Sequence, residues 1–105
     1  MKFAIVNLRD SFNRKGLKVR PCIIINESSK HIRCMLITVH PDKKTKPHAM
    51  HVKCFNINGY IDLRKTFTVR KEFVCRAMEK VPIDIEQRIK QKTNAINQKN
   101  YVCHF

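Results

Sequence analysis

Short apolar runs, each closed off by polar or turn-forming residues, limit most strongly what this chain can fold into. Residues 3–8 (FAIVNL), 19–26 (VRPCIIIN), 32–39 (IRCMLITV), 51–55 (HVKCF), 60–64 (YIDLR) and 66–69 (TFTV) are rich in β-branched and aromatic side chains. Their lengths suit strands better than helices. Residues 73–81 are ambiguous and are read as one more short strand leading to Val81. The loop Asn26-Glu27-Ser28-Ser29 is short enough to join the second and third runs as an antiparallel hairpin. Asn56-Ile57-Asn58-Gly59 has turn chemistry. Pro41 and Pro47 fence a basic loop that cannot enter a sheet interior. Helical periodicity comes only near the end. Pro82 suits a first turn, Asp84 and Glu86 suit its positive end, and Ile85, Ile89 and Ile96 recur on one face. The polar stretch Gln91–Asn100 is expected to carry that helix outward. The apolar tail 101–105, YVCHF, is free to pack back or to meet a partner. The pattern predicts a mainly β fold of the α+β class: a small, strongly curved β-barrel with a C-terminal helix.

The 105 residues leave room for one modest core, so 1–105 is read as a single domain. With only two glycines, the chain has no clustered glycine loop of the kind that cradles a dinucleotide or a nucleoside triphosphate. Charge points elsewhere. Twenty-two Lys plus Arg against eight Asp plus Glu give +14 and a pI near 10. Such a field attracts polyanions, and nucleic acid is the first partner it suggests; an acidic protein is the second.

The five cysteines (Cys22, Cys34, Cys54, Cys75 and Cys103) are odd in number and widely spaced, and two lie inside apolar runs. This is the usage of a reduced, cytoplasmic protein, not a disulfide framework. The apolar run at the N-terminus stops at Asn7, short of a signal peptide, and no 18-residue apolar stretch suggests a membrane span. His48, His51 and Cys54 form H-x-x-H-x-x-C. On a strand, that spacing puts neighbours on opposite faces and no fourth ligand follows, so no metal and no cofactor is expected.

The order of segments carries a resemblance. A strand, a basic loop, "VRPCIIIN", a strand ending in "LIT", "HVKCF", "YIDLRKTFTVRKEF" and "VPIDIEQRI" together resemble the MazF/PemK family of toxin endoribonucleases over roughly residues 3–90. The resemblance implies an SH3-like barrel and metal-independent cleavage of single-stranded RNA through a 2′,3′-cyclic phosphate. It also implies a homodimer neutralised by an acidic antitoxin. Carried over by position, the catalytic arginine is Arg20 and the catalytic threonine Thr38.

The chemistry fits those residue types. In-line attack gathers negative charge on the phosphorus oxygens, which a forked guanidinium and a hydroxyl can both stabilise. His40, on the same side of an extended chain as Thr38, is a further acid–base candidate; a solvated loop histidine is the plainer reading. The family's acidic position falls at Arg64 and its arginine at Phe67, while Asn7 stands where many relatives carry Asp. The nearest acid, Asp62, is therefore the candidate for proton transfer. Arg14, Lys15 and Lys18 in one loop, Lys43, Lys44 and Lys46 in another, and Arg64 are expected to contact RNA. Phe12 could stack a base; Phe67 is the better core residue. Should the altered positions have cost the acid–base machinery, the alternative is a non-catalytic nucleic-acid-binding module on the same barrel. An acidic protein ligand is a third reading.

Overall fold

The computed structural model describes residues 1–8, 19–41, 43, 46–54 and 56–102. Among them the chain runs β1 (Lys2–Asn7), β2 (Val19–Glu27), β3 (His31–Thr38), β4 (Ala49–Cys54), β5 (Ile57–Asp62), β6 (Lys65–Arg70), β7 (Val74–Lys80), α1 (Ile83–Thr93) and β8 (Lys99–Val102). The sheet order is β4-β5-β3-β2-β1-β7, with β6 also paired to β3 and β8 paired to β6. This is the expected α+β class. The path ends at β4 and β7 with no ladder between them among the described residues, so the sheet is open and not a closed barrel. No described helix is long and apolar enough to cross a membrane.

Strict alternation gives the sheet two apolar faces. Phe3, Ile23, Met35, Ile37, Met50, Val52 and Ile61 point to one face and meet Val81, Ile85 and Ile89. Helix α1 covers this face. Ile85 and Ile89 are its buried residues, acids occupy its first turn, and Lys90 and Lys92 its last. The Met1 ammonium lies 2.7 Å from Glu86 Oε1, and Val81 N–H donates to Met1 C=O at 3.1 Å, which fixes the helix start against β1. The other face gathers Ala4, Val6, Leu8, Cys22, Ile24, Ile32, Cys34 and Val69. Cys22 and Cys34 are fully buried there, as free thiols.

Two expectations change. The helix does not run through Asn100 but stops at Thr93, whose hydroxyl donates back to Ile89 C=O at 2.8 Å. Beyond it, residues 99–102 form β8, parallel to β6. Only Tyr101 and Val102, the start of the apolar tail, hint at that strand; long-range partners hold it. Lys99 N–H donates to Arg64 C=O, Gln98 Nε2 donates to Leu63 C=O, and Tyr101 stacks on Phe67 with ring centres 5.3 Å apart. Asn100 accepts from the buried Thr66 hydroxyl at 2.9 Å, and Thr66 in turn accepts from Arg33.

The second change concerns Asn58-Gly59. These residues lie inside β5, and the β4–β5 hairpin closes at Cys54↔Ile57 instead. Gly59 serves close approach, not a turn: a Cβ there would come 2.6 Å from Ile37 Cγ2 and 3.0 Å from Thr38 O.

Candidate active site

The β2–β3 ladder runs from Glu27↔Ile32 to Cys22↔Leu36 and stops. The next residue of β2 is Pro21, which has no N–H to contribute. Beyond that point β3 pairs on its other edge with β5, through Ile37↔Ile61 and Thr38↔Tyr60. Continuing the β2–β3 register by two residues puts Arg20 opposite Thr38. The strands part there, and a cleft of about 510 Å³ opens, lined by Arg20, Pro21, Ile37, Thr38, Val39, His40, Asn56, Ile57 and Asn58. Three of the residues singled out in the sequence, Arg20, Thr38 and His40, share it.

Among the described residues the electrostatics of this cleft are one-sided, since none of those that line it is an acid. Arg33 bonds to Thr66, Arg64 to Asp62 and Arg70 to Glu72, whereas the half-buried Arg20 has no hydrogen-bond or carboxylate partner among the described residues. A guanidinium held at a strand end with its donors unspoken for is suited to an anion. Lys43 is exposed just beyond His40 and Pro41, and Lys46 lies exposed in the short 3-10 turn before β4.

Asp62 and Arg64 stand apart from the cleft lining and bind each other. Arg64 donates to Asp62 from its backbone N–H at 3.0 Å, from Nε at 3.2 Å and from a terminal nitrogen at 3.2 Å. Burial pushes the Asp62 pKa up, but these hydrogen bonds and the charges of Arg64 and Lys65 outweigh it and hold the carboxyl below its ordinary value. An ionised carboxylate so engaged is a poor proton shuttle. Phe67 is half-buried against the second apolar cluster and Tyr101. Arg14, Lys15, Lys18, Lys44 and Phe12 lie outside the described residues.

Apart from weighing His51 as a metal ligand, sequence reasoning gave no site role to Asn56, Asn58, Tyr60 and His51. The last three occupy the outward side of the β4–β5 hairpin, where the same sheet face that is packed under β1–β3 is left open. Reading Asn58-Gly59 as a turn concealed them; period-two alternation through His51, Lys53 and then Asn58, Tyr60 was the available signal. Among the described residues no three His, Cys, Asp or Glu side chains gather as a metal site would require.

These features define a class before they suggest a relative: an open, curved, mainly antiparallel sheet with one helix packed across one face and a cationic cleft at a strand end. A solved structure, an endoribonuclease in complex with its cognate antitoxin from Mycobacterial species, shares this fold. The TM-score is 0.67 at 11% sequence identity, over 90% of this chain and 86% of that one. At that identity the likeness is one of fold. No protein-family model and no curated protein matches the chain.

Proposed function

We propose that this chain is a toxin endoribonuclease of the MazF/PemK type, cutting single-stranded RNA in the cytoplasm without a metal ion. The observation that carries the reading is the meeting of Arg20 and Thr38 in one cleft, with no acid among its described lining residues, on a fold shared with an endoribonuclease. The RNA 2′-hydroxyl attacks the adjacent phosphorus, its proton passes to a base, and the P–O5′ bond breaks as O5′ takes up a proton. The products are a 2′,3′-cyclic phosphate and a 5′-hydroxyl. Arg20 and Thr38 donate to the non-bridging oxygens as charge builds there. His40 is the cleft's own titratable group and takes the proton-transfer role, in place of Asp62. Arg14, Lys15, Lys18, Lys43, Lys44 and Arg64 hold the flanking phosphates. An acidic antitoxin covers the cationic surface, as the fold neighbour's own complex suggests, and two copies of the chain form the active dimer.

One observation favours the alternative, a nucleic-acid-binding module without catalysis: the only acid near the family's acidic position is tied up by Arg64. Incubating a long RNA with the protein in EDTA and analysing the ends separates the two. Cyclic-phosphate ends support the nuclease; salt-sensitive binding to intact RNA supports the module.

A further inference from the structure

The outward side of the β4–β5 hairpin carries a cluster that the reaction above does not use. Side chains of directly paired antiparallel residues stand on one side of a sheet. Thr38, Tyr60 and His51 therefore form a row across β3, β5 and β4, with Asn58 and Lys53 in the next row. Strand spacing puts Tyr60 about 5 Å and His51 about 10 Å from Thr38. His51, Lys53 and Asn58 are exposed, Tyr60 is half-buried, and Asn58 also lines the cleft.

The rings of His51 and Tyr60 lie 5.0 Å apart, inclined at 35°. His51 Nε2 is 2.6 Å from Asn58 Oδ1. An amide oxygen only accepts, so in the Nε2–H tautomer this nitrogen donates to it. With its oxygen engaged, Asn58 has its amide N–H donors left for a ligand.

From this geometry we infer that Tyr60, His51 and Asn58 form a nucleobase subsite for the nucleotide beside the scissile phosphate, and that it prefers a keto base, uracil or guanine. The inference rests on the RNA reading of the Arg20–Thr38 cleft. A base presents a π face to the two rings. Uracil and guanine present a carbonyl acceptor to Asn58 where cytosine and adenine present an amino donor. Lys53 on this surface and Arg20 across the cleft supply positive charge for the backbone. Asp62, the acid on the same side of β5, is neutralised by Arg64. The surface thus suits a polyanion with flat bases better than a run of carboxylates such as oligoglutamate, which has no ring to stack.

Binding of short oligouridine and oligocytidine, whose bases differ on one edge only (4-carbonyl and N3–H against 4-amino and bare N3), tests the edge reading. Oligouridine is expected to bind more tightly by about five-fold or more. Asn58→Ala erases that difference, and so does His51→Phe, which keeps a ring but frees the amide to flip. Tyr60→Ala weakens both ligands by on the order of ten-fold. Tyr60→Phe, which preserves the ring and its packing, does not. The chain has two tyrosines and no tryptophan, so in Tyr101→Phe protein Tyr60 is the sole emitter and its quenching by oligouridine reports stacking directly. Unchanged affinity and base preference in both Tyr60→Ala and Asn58→Ala would overturn the subsite. So would displacement of both oligonucleotides alike by oligoglutamate with no difference between them. Selective binding without any cleavage would uphold the subsite and remove only the nuclease. Cleavage with no quenching and no base preference would do the reverse.

Discussion

The β2–β3 hairpin has two ends built from similar residues, and they behave in opposite ways. At the turn end the polar groups answer one another: Ser28 N–H donates to His31 C=O at 2.9 Å, and His31 N–H donates to Ser28 Oγ at 3.1 Å. Several of the cations there are paired as well. Glu27 lies 3.4 Å from Lys2 and 4.0 Å from Lys71, and Arg70 is bound to Glu72. At the far end Pro21 lets the strands part, and Arg20, Thr38 and His40 line a cleft with no acid among its described residues. Both ends are basic. On a chain with 22 Lys and Arg, a cation says little; a half-buried one that lines a cleft with no acid among its described residues says more.

Mutations can set one end against the other. The largest effect is expected from Arg20→Ala, which should cut the rate of RNA cleavage by about 10²–10³ with the fold intact, as for loss of one transition-state donor. Arg70→Ala, at the turn end, should leave cleavage alone. Comparing single-turnover rates with far-ultraviolet circular dichroism decides it; equal losses in the two variants would erase the distinction. Gly59→Ala forces a Cβ against Ile37 and the Thr38 carbonyl. It should cost about 1–3 kcal/mol of stability by overpacking, and should slow cleavage as well because Thr38 is displaced. Urea unfolding and cleavage measured on the same preparation check both halves.

Ser28→Ala removes the hydroxyl that closes the turn end. A loss of about 0.5–1.5 kcal/mol is expected, with cleavage unchanged. The smallest effect is expected from Asp62→Asn. The Asp62 pKa is depressed in the folded state, so its contribution is present above the ordinary value of 3.8 and is lost as pH falls through the folded value. The variant should lose at most about 1 kcal/mol at neutral pH, as for a partly exposed pair, and should flatten the acid limb of the stability profile. Its cleavage rate should match the parent's. A large drop would return Asp62 to the chemistry and take His40 out of it.

Much of this contrast was legible in the sequence. Alternation placed β1, β2, β3 and β6 within a residue or two of where they lie, because each buries side chains on both faces. The meeting of Arg20 and Thr38 in one cleft was expected from the resemblance, and Pro21 and the two strand ends are in keeping with it. What escaped depends on partners distant in sequence. β8 reads as polar (KNYV) and exists because Thr66, Phe67 and Thr68 wait for it on β6. Asn58-Gly59 has the composition of a turn, yet packing against Ile37 and Thr38 overrides that local preference. The row from Thr38 through Tyr60 to His51 joins three strands, so no single stretch of chain contains it.

The buried thiols of the second apolar face give this fold a clock. Cys22 stands two residues from Arg20 and Cys34 four before Thr38, on the two strands that part at the cleft. A hydrogen bond with Cys34 and burial both push the Cys22 thiol up, so it offers almost no thiolate while the ladder is closed. Cys75 is exposed and open to an alkylating reagent, whereas the buried Cys22 must wait for β2 and β3 to separate. The slow phase of alkylation therefore counts openings of the strands that carry Arg20 and Thr38, and any ligand that bridges those strands will lengthen it.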